Sequence, residues 1–403
     1  MLVSIDLPTS KSISNRLLII RALCPGGFNI HQLSEAEDTQ QLNACLQEKG
    51  TQISVGEGGT TLRFLLAYFC LKGQLKKLEG EGNLPKRPLI PLLQIMEQMG
   101  ARFLLPTNGG FLPLQILKGI DVEFSETVTV DARLSSQFVS AILLISPQLK
   151  RGLKLCWTAG GVSEPYIQMT IRLMRLHGIK IDEVGDHAVQ VYPGPYLSKE
   201  ITVEADWSGA SYFLAWLALK KHGQLFFPGL TCSGFQADEK AMVFFKQFGL
   251  QFTEQPEGML VTLDQFRKPE EIHFDFTQCP DLFPAIIIFC AIARCDAHFS
   301  GLQHLDHKES KRLTVMETFL NKANVNTKRI VENENHVSMS FFMKTFSFIP
   351  DGPLDSYRDH RIAMAFSLLN ILTPVSILYP ECVNKSFPGY WLQMAKLQNH
   401  SVE

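Results

Sequence analysis

The sequence predicts a mixed α/β fold that is divided into two domains. Its 403 residues exceed one ordinary core, because a domain holds about 150 residues. A strand-like segment, a short polar or glycine-rich turn and an apolar helix of about ten residues follow one another six times along the chain. Each copy takes about 70 residues, so the six copies divide naturally into two domains of three.

The predicted helices begin at turns that carry hydroxyl, glycine or charged side chains. Such helix starts expose backbone N–H groups and the positive end of the helix dipole, which makes each of them a candidate anion site. A second series of helices ends in Gly or Asn, which tolerate the left-handed conformation of a helix C-terminus. The predicted starts are Ser12, Thr60, Ser136, Ser208, Asp281 and His360, and the predicted caps are Gly50, Gly100, Gly178, Gly249 and Asn324.

The first three helix starts offer cations and neutral donors. Lys11 and Arg16 flank serine N-caps directly after a strand that ends at Pro8, which would suit a phosphate or carboxylate. The glycine-rich turn 56–60 offers a backbone cradle, but it matches no nucleotide-binding motif. Residues 135–137 (Ser-Ser-Gln) open the third helix with neutral donors. Ordinary capped helices with solvated cations remain an alternative for all three.

The last three helix starts carry aspartates instead. A carboxylate at a helix N-terminus is usually a cap. Carboxylates interleaved with lysines also suit proton transfer, because neighbouring charges separate their pKa values. The cap interpretation applies to the three helix starts, Asp206, Asp281 and Asp359. The proton-transfer interpretation applies to the pair Asp281 and Glu309 with Lys308 and Lys385, and both interpretations stay open.

Composition excludes several classes of protein. The net charge of −2 provides no general attraction for nucleic acid. The longest uncharged apolar stretch, residues 285–293, is too short to span a bilayer. The N-terminus lacks the pattern of a secretory signal, and the nine cysteines form no CxxC pair. No metal-ligand spacing occurs. We therefore expect a cytoplasmic protein that binds neither nucleic acid nor membrane.

Nine ordered segments resemble the 5-enolpyruvylshikimate-3-phosphate (EPSP) synthase family, the 3-phosphoshikimate 1-carboxyvinyltransferases. The resemblance covers nearly the whole chain. The segments are residues 7–16 (LPTSKSISNR), 87–88 (RP), 130–138 (VDARLSSQF), 163–166 (SEPY), 204–208 (EADWS), 279–281 (CPD), 307–310 (HKES), 359–361 (DHR) and 382–388 (CVNKSFP).

The resemblance implies a two-domain enolpyruvyl transferase fold, an inside-out α/β barrel. Each domain would contain three βαβαββ units whose helix N-termini face an interdomain cleft that holds the active site. Domain 1 would comprise residues 1–9 and 204–403, with phosphoenolpyruvate and acid/base residues. Domain 2 would comprise residues 10–203, on the shikimate 3-phosphate side. We expect a monomer.

The resemblance also implies the reaction. The enolpyruvyl group of phosphoenolpyruvate would pass to the 5-hydroxyl of shikimate 3-phosphate through a tetrahedral intermediate that loses phosphate. This is the step before chorismate in aromatic amino acid biosynthesis. No metal or organic cofactor is implied, and the partners would be the two small-molecule substrates.

The site residues are carried over by position in the matching segments. Asp281 would accept the hydroxyl proton, while Glu309 with Lys308 would protonate the methylene carbon. The implied catalytic residues are Asp281, Glu309, Lys308 and Lys11; those for shikimate 3-phosphate are Lys11, Ser12, Arg16, Ser135, Ser136, Gln137, Ser163, Asp281 and Lys308; those for phosphoenolpyruvate are Lys11, Gly59, Arg87, Gln137, Arg312, Arg361 and Lys385.

The chain departs from the family pattern in two places. Glu57 stands where a neutral amide is usual, beside an expected anion site. At an effective dielectric constant near 20, its repulsion of an anion at 4 Å would be about 4 kcal/mol. We therefore predict weakened affinity for phosphoenolpyruvate and glyphosate, unless Glu57 turns outward or pairs with a cation. Asp306 and Lys311 exchange the usual signs, which predicts a preserved ion pair.

Two alternatives remain at the level of sequence. One is a relative that keeps the ligand-binding cleft with weakened or lost turnover, as Glu57 would allow. The other is UDP-N-acetylglucosamine enolpyruvyl transferase, which shares the implied fold. The Ser-Ser-Gln and Asp-His-Arg segments favour the shikimate enzyme over the second alternative.

Overall fold

A computed structural model describes residues 2–107, 109–132, 135–158, 164–333 and 336–399. Internal contacts divide the chain into two compact units. Unit 1 comprises Met1–Ser10 and Glu204–Glu403, and unit 2 comprises Lys11–Val203.

The helices of the described residues form two alternating series. Helices of the first series begin within two residues of the predicted starts and lie inside each unit. The helices are α1 (Lys11–Leu23), α2 (Glu37–Gln47), α3 (Gly59–Leu71), α4 (Ile90–Gln98), α5 (Ser136–Ile145), α6 (Glu164–Leu176), α7 (Trp207–Lys220), α8 (Lys240–Lys246), α9 (Phe283–Ala293), α10 (Arg312–Lys322), α11 (His360–Ser367) and α12 (Tyr390–Asn399).

The strands are short and are interspersed with the helices along the chain. They are β1 (Leu2–Ser4), β2 (Ile30–His31), β3 (Gln52–Ser54), β4 (Lys77–Glu79), β5 (Arg102–Leu104), β6 (Leu114–Lys118), β7 (Val128–Val130), β8 (Leu153–Trp157), β9 (Ile181–Gly185), β10 (Ala188–Val191), β11 (Ile201–Thr202), β12 (Gly223–Pro228), β13 (Gln251–Gln255), β14 (Gly258–Leu263), β15 (Glu271–Asp275), β16 (Asp296–Ser300), β17 (Asn326–Asn333), β18 (His336–Phe342), β19 (Leu354–Asp355) and β20 (Ile377–Leu378).

Each unit contains two four-stranded sheets and one pair of strands among its described residues. Unit 2 has the orders β3-β4-β6-β5, β7-β8-β10-β9 and β11-β2, and unit 1 has β1-β12-β14-β13, β15-β16-β18-β17 and β19-β20. In every four-stranded sheet the first pair is parallel and the others are antiparallel. The order β3-α3-β4-α4-β5-β6 is therefore a complete βαβαββ unit, and the α/β prediction is confirmed.

The apolar stretch at residues 285–293 belongs to α9, which lies in the core of unit 1. Its side chains from Phe283 to Ala291 are buried on all sides, and α9 packs against α7 and α11. A helix that is apolar all round needs such a position. No helix of the described residues is both long enough and apolar enough to cross a membrane.

The predicted left-handed helix caps occur in four of five positions. The φ angles are +97° at Gly100, +85° at Gly178, +97° at Gly249 and +62° at Asn324. Gly50 was expected to cap α2, but that helix already ends before Glu48, which is extended. The repeated Gly or Asn therefore marks the end of the second helix in four of the copies.

Candidate active site

Arg312 connects three carboxylates in unit 1. It opens α10 and is 1% exposed. Its Nη1 donates to Asp281 Oδ1 at 2.9 Å, its Nη2 to Glu309 Oε2 at 2.6 Å, and its Nε to Asp359 Oδ2 at 2.8 Å. These bonds raise the pKa of Arg312 against the opposing effect of burial. The two acids expected to transfer protons are thus held by one guanidinium.

Asp281 receives two further cations. It lies in a short 3-10 helix, Pro280–Leu282, that leads into α9. Arg361 Nη2 donates to its Oδ2 at 2.9 Å, and Lys308 Nζ lies 3.8 Å from its Oδ1. Burial alone would raise the pKa of Asp281, but Arg361, Lys308 and Arg312 hold it well below its usual range. Burial lowers the pKa of the Lys308 ammonium, which Asp281 partly offsets.

The three aspartates at the helix starts of unit 1 have different hydrogen-bond partners. Asp206 caps α7 by accepting from Gly209 N at 2.8 Å, and Asp359 caps α11 by accepting from Arg361 N at 2.9 Å. Asp281 caps neither its 3-10 helix nor α9, and it is held by cations instead. The cap interpretation is therefore confirmed for Asp206 and Asp359, whereas Asp281 is not a cap and its role in proton transfer stays a prediction.

Lys385 is the remaining predicted residue of unit 1. It ends the 3-10 helix Pro380–Lys385 and is buried. The 3-10 helix packs against α11, which carries Arg361 in its first turn.

Arg16 is the buried cation of unit 2. It lies in α1 and is 2% exposed. Its Nε donates to Thr170 Oγ1 at 2.7 Å, and its Nη2 to Ser140 Oγ at 3.2 Å and to the Tyr166 carbonyl at 3.1 Å. Its Nη1 donates to the Ser12 carbonyl at 2.8 Å. No carboxylate of the described residues pairs with it, and burial lowers the pKa of Arg16 to about 10.

Lys11 opens the same helix but has a counter-charge. Its Nζ lies 2.9 Å from Asp38 Oδ2, in the first turn of α2. Both side chains are partly exposed. The pair positions the ammonium at the helix start, where the backbone N–H groups of α1 also point.

Gly59 begins α3 and lies against two guanidiniums. A Cβ at this position would be 2.7 Å from Arg87 Nη1 and 2.8 Å from Arg63 Nη1, so only glycine leaves both side chains where they are. Gln137 connects α5 to Arg63 and Thr60, because its Oε1 accepts from Arg63 Nη1 at 2.5 Å and its Nε2 donates to Thr60 Oγ1 at 2.9 Å. A helix start with two guanidiniums beside it offers the kinds of group that bind small anions in proteins.

The two serines at the start of α5 occupy different positions of the helix. Ser135 is the N-cap and its hydroxyl oxygen accepts from Gln137 N at 3.2 Å, while Ser136 is the buried first residue of the helix. Ser163, also expected to bind shikimate 3-phosphate, lies outside the described residues.

The two departures from the family pattern have distinct outcomes. The Glu57 carboxylate covers Gly82, where a Cβ would lie 2.5 Å from its Oε1. The expected ion pair between Asp306 and Lys311 was wrong, since neither forms it among the described residues. Asp306 instead accepts from Thr314 N at 3.1 Å and from Thr314 Oγ1 at 2.6 Å. Free N–H groups in the first turn of α10 attract this carboxylate.

Sequence reasoning missed three members of these clusters. Arg63 stands one helical turn after Gly59, so the (i, i+4) spacing could have indicated it. Asp38 is far from Lys11 in sequence and carries no signal. Asp359 was interpreted only as a cap, although it also holds Arg312. No group of three or more His, Cys, Asp or Glu side chains in the described part of the chain could hold a metal ion.

Solved structures of other proteins share the fold of this chain. An EPSP synthase from Acinetobacter baumannii superposes with a TM-score of 0.74 at 21% identity, covering 98% of this chain and 95% of that one. The enolpyruvyl transferase NikO from Streptomyces tendae gives 0.72 at 12% identity, covering 98% and 94%. The fold is that of the enolpyruvyl transferases, as predicted.

Sequence comparison narrows the class to a family. The family model for EPSP synthase (3-phosphoshikimate 1-carboxyvinyltransferase) matches residues 45–394. A 3-phosphoshikimate 1-carboxyvinyltransferase from Bacteroides fragilis is 35% identical over 98% of this chain and 94% of its own length. One from Methanospirillum hungatei is 28% identical over 99% and 96%. The chain belongs to the EPSP synthase family.

Proposed function

We propose that the chain transfers the enolpyruvyl group of phosphoenolpyruvate to the 5-hydroxyl of shikimate 3-phosphate and releases phosphate. Its family membership supports the activity. The observation that carries the assignment of residues is the binding of Asp281 and Glu309 by Arg312, with Lys308 beside Asp281. Two carboxylates and an ammonium in one buried cluster are the parts that two successive proton transfers require.

Asp281 accepts the proton of the attacking hydroxyl, and Glu309 with Lys308 supplies one to the methylene carbon. In the free protein the cations around Asp281 lower its basicity. An anionic substrate that binds Arg312 and Arg361 shares those cations and therefore makes Asp281 a stronger base. Substrate binding and proton acceptance are coupled in this way. Lys11 completes the proposed catalytic set.

The remaining predicted residues divide between the two substrates. Neutral hydroxyl and amide donors with Arg16 suit the phosphate and hydroxyls of shikimate 3-phosphate, whereas glycine and guanidiniums suit phosphoenolpyruvate. The proposed set for shikimate 3-phosphate is Lys11, Ser12, Arg16, Ser135, Ser136, Gln137, Ser163, Asp281 and Lys308, and the proposed set for phosphoenolpyruvate is Lys11, Gly59, Arg87, Gln137, Arg312, Arg361 and Lys385.

Two anionic substrates repel each other, so the protein must offset their charge. The chain carries almost balanced totals of 38 basic and 40 acidic residues, and the cations of these clusters concentrate positive charge locally. Preorganised donors of this kind stabilise the charge that develops during group transfer. We further propose a cytoplasmic monomer that needs no metal or organic cofactor.

Phosphate release with both substrates tests the activity. We expect turnover only when phosphoenolpyruvate and shikimate 3-phosphate are both present, and the control omits the second substrate. Asp281→Asn should lose turnover while the protein remains folded by circular dichroism. A flat trace at millimolar substrates would favour the ligand-binding relative, and turnover with UDP-N-acetylglucosamine in place of shikimate 3-phosphate would favour the other alternative.

A further inference from the structure

A second buried aspartate lies next to the Asp281 cluster and belongs to none of the predicted sets. Asp238 is 2% exposed and lies in the 3-10 helix Ala237–Glu239 before α8. The hydroxyl of Ser208, in the first turn of α7, donates to its Oδ2. Its Oδ1 is buried and accepts no hydrogen bond from the described residues. A carboxylate is seldom left half satisfied in this way.

The groups that surround Asp238 come from three other segments of unit 1. Burial, and then the charge of Asp281, raise the pKa of Asp238 to about 7. Arg361 and the Ser208 hydroxyl partly offset this, while Asp206 adds to it. Burial, and then the charge of Asp238, raise the pKa of the Cys279 thiol. Asp238 therefore keeps its proton to a higher pH than an ordinary aspartate does.

Arg361 is the cation that the two aspartates share. Asp281 accepts directly from Arg361 at 2.9 Å, and both aspartates raise the pKa of Arg361. The two carboxyls have opposite pKa shifts, because cations outweigh the effect of burial at Asp281, whereas burial and the charge of Asp281 outweigh Arg361 and the Ser208 hydroxyl at Asp238. Pairs of carboxyls whose environments separate their pKa values commonly have distinct roles in an active site.

We propose that Asp238 is a positioning residue that controls how much of the positive charge of Arg361 is available to phosphoenolpyruvate. The geometry that carries this is a buried carboxyl that accepts from Ser208 on one oxygen and has no hydrogen-bond partner among the described residues on the other. Its charge interacts with those of Arg361 and Asp281. The inference rests on the proposed function. With a proton on Asp238, Arg361 is shared with Asp281 alone and attracts the substrate anion. When Asp238 releases that proton to solvent, a second carboxylate competes for the same guanidinium.

The Michaelis constant for phosphoenolpyruvate across about pH 5.5 to 8.5 tests the proposal, because an added charge near a bound anion changes affinity by about threefold to tenfold. Asp238→Asn keeps the shape and the bond to Ser208, but it cannot ionise. We expect the ratio of wild-type to Asp238→Asn Michaelis constants to rise by about this factor as the pH rises. Because both proteins bind the same substrate, the effect of the substrate's own ionisation cancels in this ratio. A ratio that stays constant overturns the proposal.

Two further variants separate charge from structure. Ser208→Ala removes the hydrogen bond that favours the ionised carboxylate, so the rise in the Michaelis constant should move to higher pH. Asp264→Asn removes an exposed carboxylate from the same unit and should follow the wild type at every pH. If Asp264→Asn flattens the profile as Asp238→Asn does, the effect is a general one of net charge and the proposal fails.

Thermal unfolding without substrate distinguishes failure of this proposal from failure of the proposed function. A carboxyl whose pKa is raised on folding contributes stability that is lost as pH rises from about 4 to about 7. Asp238→Asn should therefore gain in melting temperature over the wild type between about pH 5 and 8. A constant difference overturns the role of Asp238 even if turnover is normal. If the difference in melting temperature grows with pH but the protein shows no turnover, the ionisation of Asp238 is supported and the proposed enzymatic function is rejected.

Discussion

Arg312 of unit 1 and Arg16 of unit 2 are both buried guanidiniums, yet their surroundings are opposite. Arg312 is bonded to three carboxylates, whereas Arg16 donates only to hydroxyl and carbonyl oxygens of neutral groups among the described residues. The pKa of Arg312 is raised and that of Arg16 is lowered. The charge of Arg312 organises the protein's own acids, while the charge of Arg16 remains uncompensated and is suited to an external anion.

Replacing Arg312 should have the largest effect on the molecule. Arg312→Met leaves three carboxylates in one buried cluster without their common cation. We expect a loss of about 3–5 kcal/mol in the free energy of unfolding, measured by urea denaturation, together with loss of turnover.

The double variant Arg312→Met/Asp359→Asn provides the control for that prediction. Asparagine still caps α11 and removes one of the stranded charges, so the double variant should regain part of the lost stability. An Arg312→Met protein as stable as the wild type would mean that the three carboxylates do not depend on this cation.

Arg16→Gln should have the opposite effect to Arg312→Met. We expect little change in stability and a large loss of affinity for shikimate 3-phosphate. Ser140 and Thr170 already share a hydrogen bond of 3.0 Å, so they keep a partner when the guanidinium is removed. We expect the Michaelis constant for shikimate 3-phosphate to rise about 100-fold, while the free energy of unfolding changes by less than about 1 kcal/mol.

Arg16→Lys keeps the charge without the planar fork and should lose about tenfold in affinity instead. Equal losses for the glutamine and lysine variants would indicate that Arg16 acts through packing. In that case the contrast with Arg312 would concern structure rather than available charge.

A methyl group at position 59, in Gly59→Ala, should weaken the binding of phosphoenolpyruvate alone. The added Cβ would displace the guanidiniums of Arg87 and Arg63, from which it would be separated by only 2.7 and 2.8 Å. For Gly59→Ala we expect the Michaelis constant for phosphoenolpyruvate to rise about tenfold, with a similar turnover number and unchanged shikimate 3-phosphate binding. Gly194→Ala, at an open position of the same unit, is the matched control. A parallel rise for both substrates would refute the assignment of this turn.

The repeated helix starts were predictable because their signals are local. Turn residues before an apolar stretch indicate where α3 and α5 begin, and the cap at Gly178 follows from the conformational freedom of glycine. The family resemblance added the βαβαββ order, which composition and periodicity alone do not contain.

The partners within each cluster were much less predictable. Asp281, Arg312 and Asp359 are separated by tens of residues, so their common bonds depend on how α9, α10 and α11 pack. Asp206 and Asp281 occupy equivalent positions in sequence, but only Asp206 caps a helix, since tertiary cations outcompete the local N–H groups for Asp281. The predicted ion pair of Asp306 with Lys311 failed for the opposite reason, because Thr314 in the first turn of α10 donates to this carboxylate instead.

Glu57→Asn should have the smallest effect, and it tests the proposed anion site of unit 2 directly. The carboxylate lies over Gly82 and is half-buried, so most of the repulsion calculated for a charge pointing at the anion is avoided. Water-like screening leaves a repulsion of about 1 kcal/mol between Glu57 and the bound anion. Its removal is equivalent to about a fivefold lower Michaelis constant for phosphoenolpyruvate in the variant. Glu81→Asn, at an exposed position of the neighbouring turn, should change it less than twofold. Added salt should shrink the Glu57 difference. An unchanged constant would mean that the charge of Glu57 is neutralised where it lies and does not reach an anion bound at this turn.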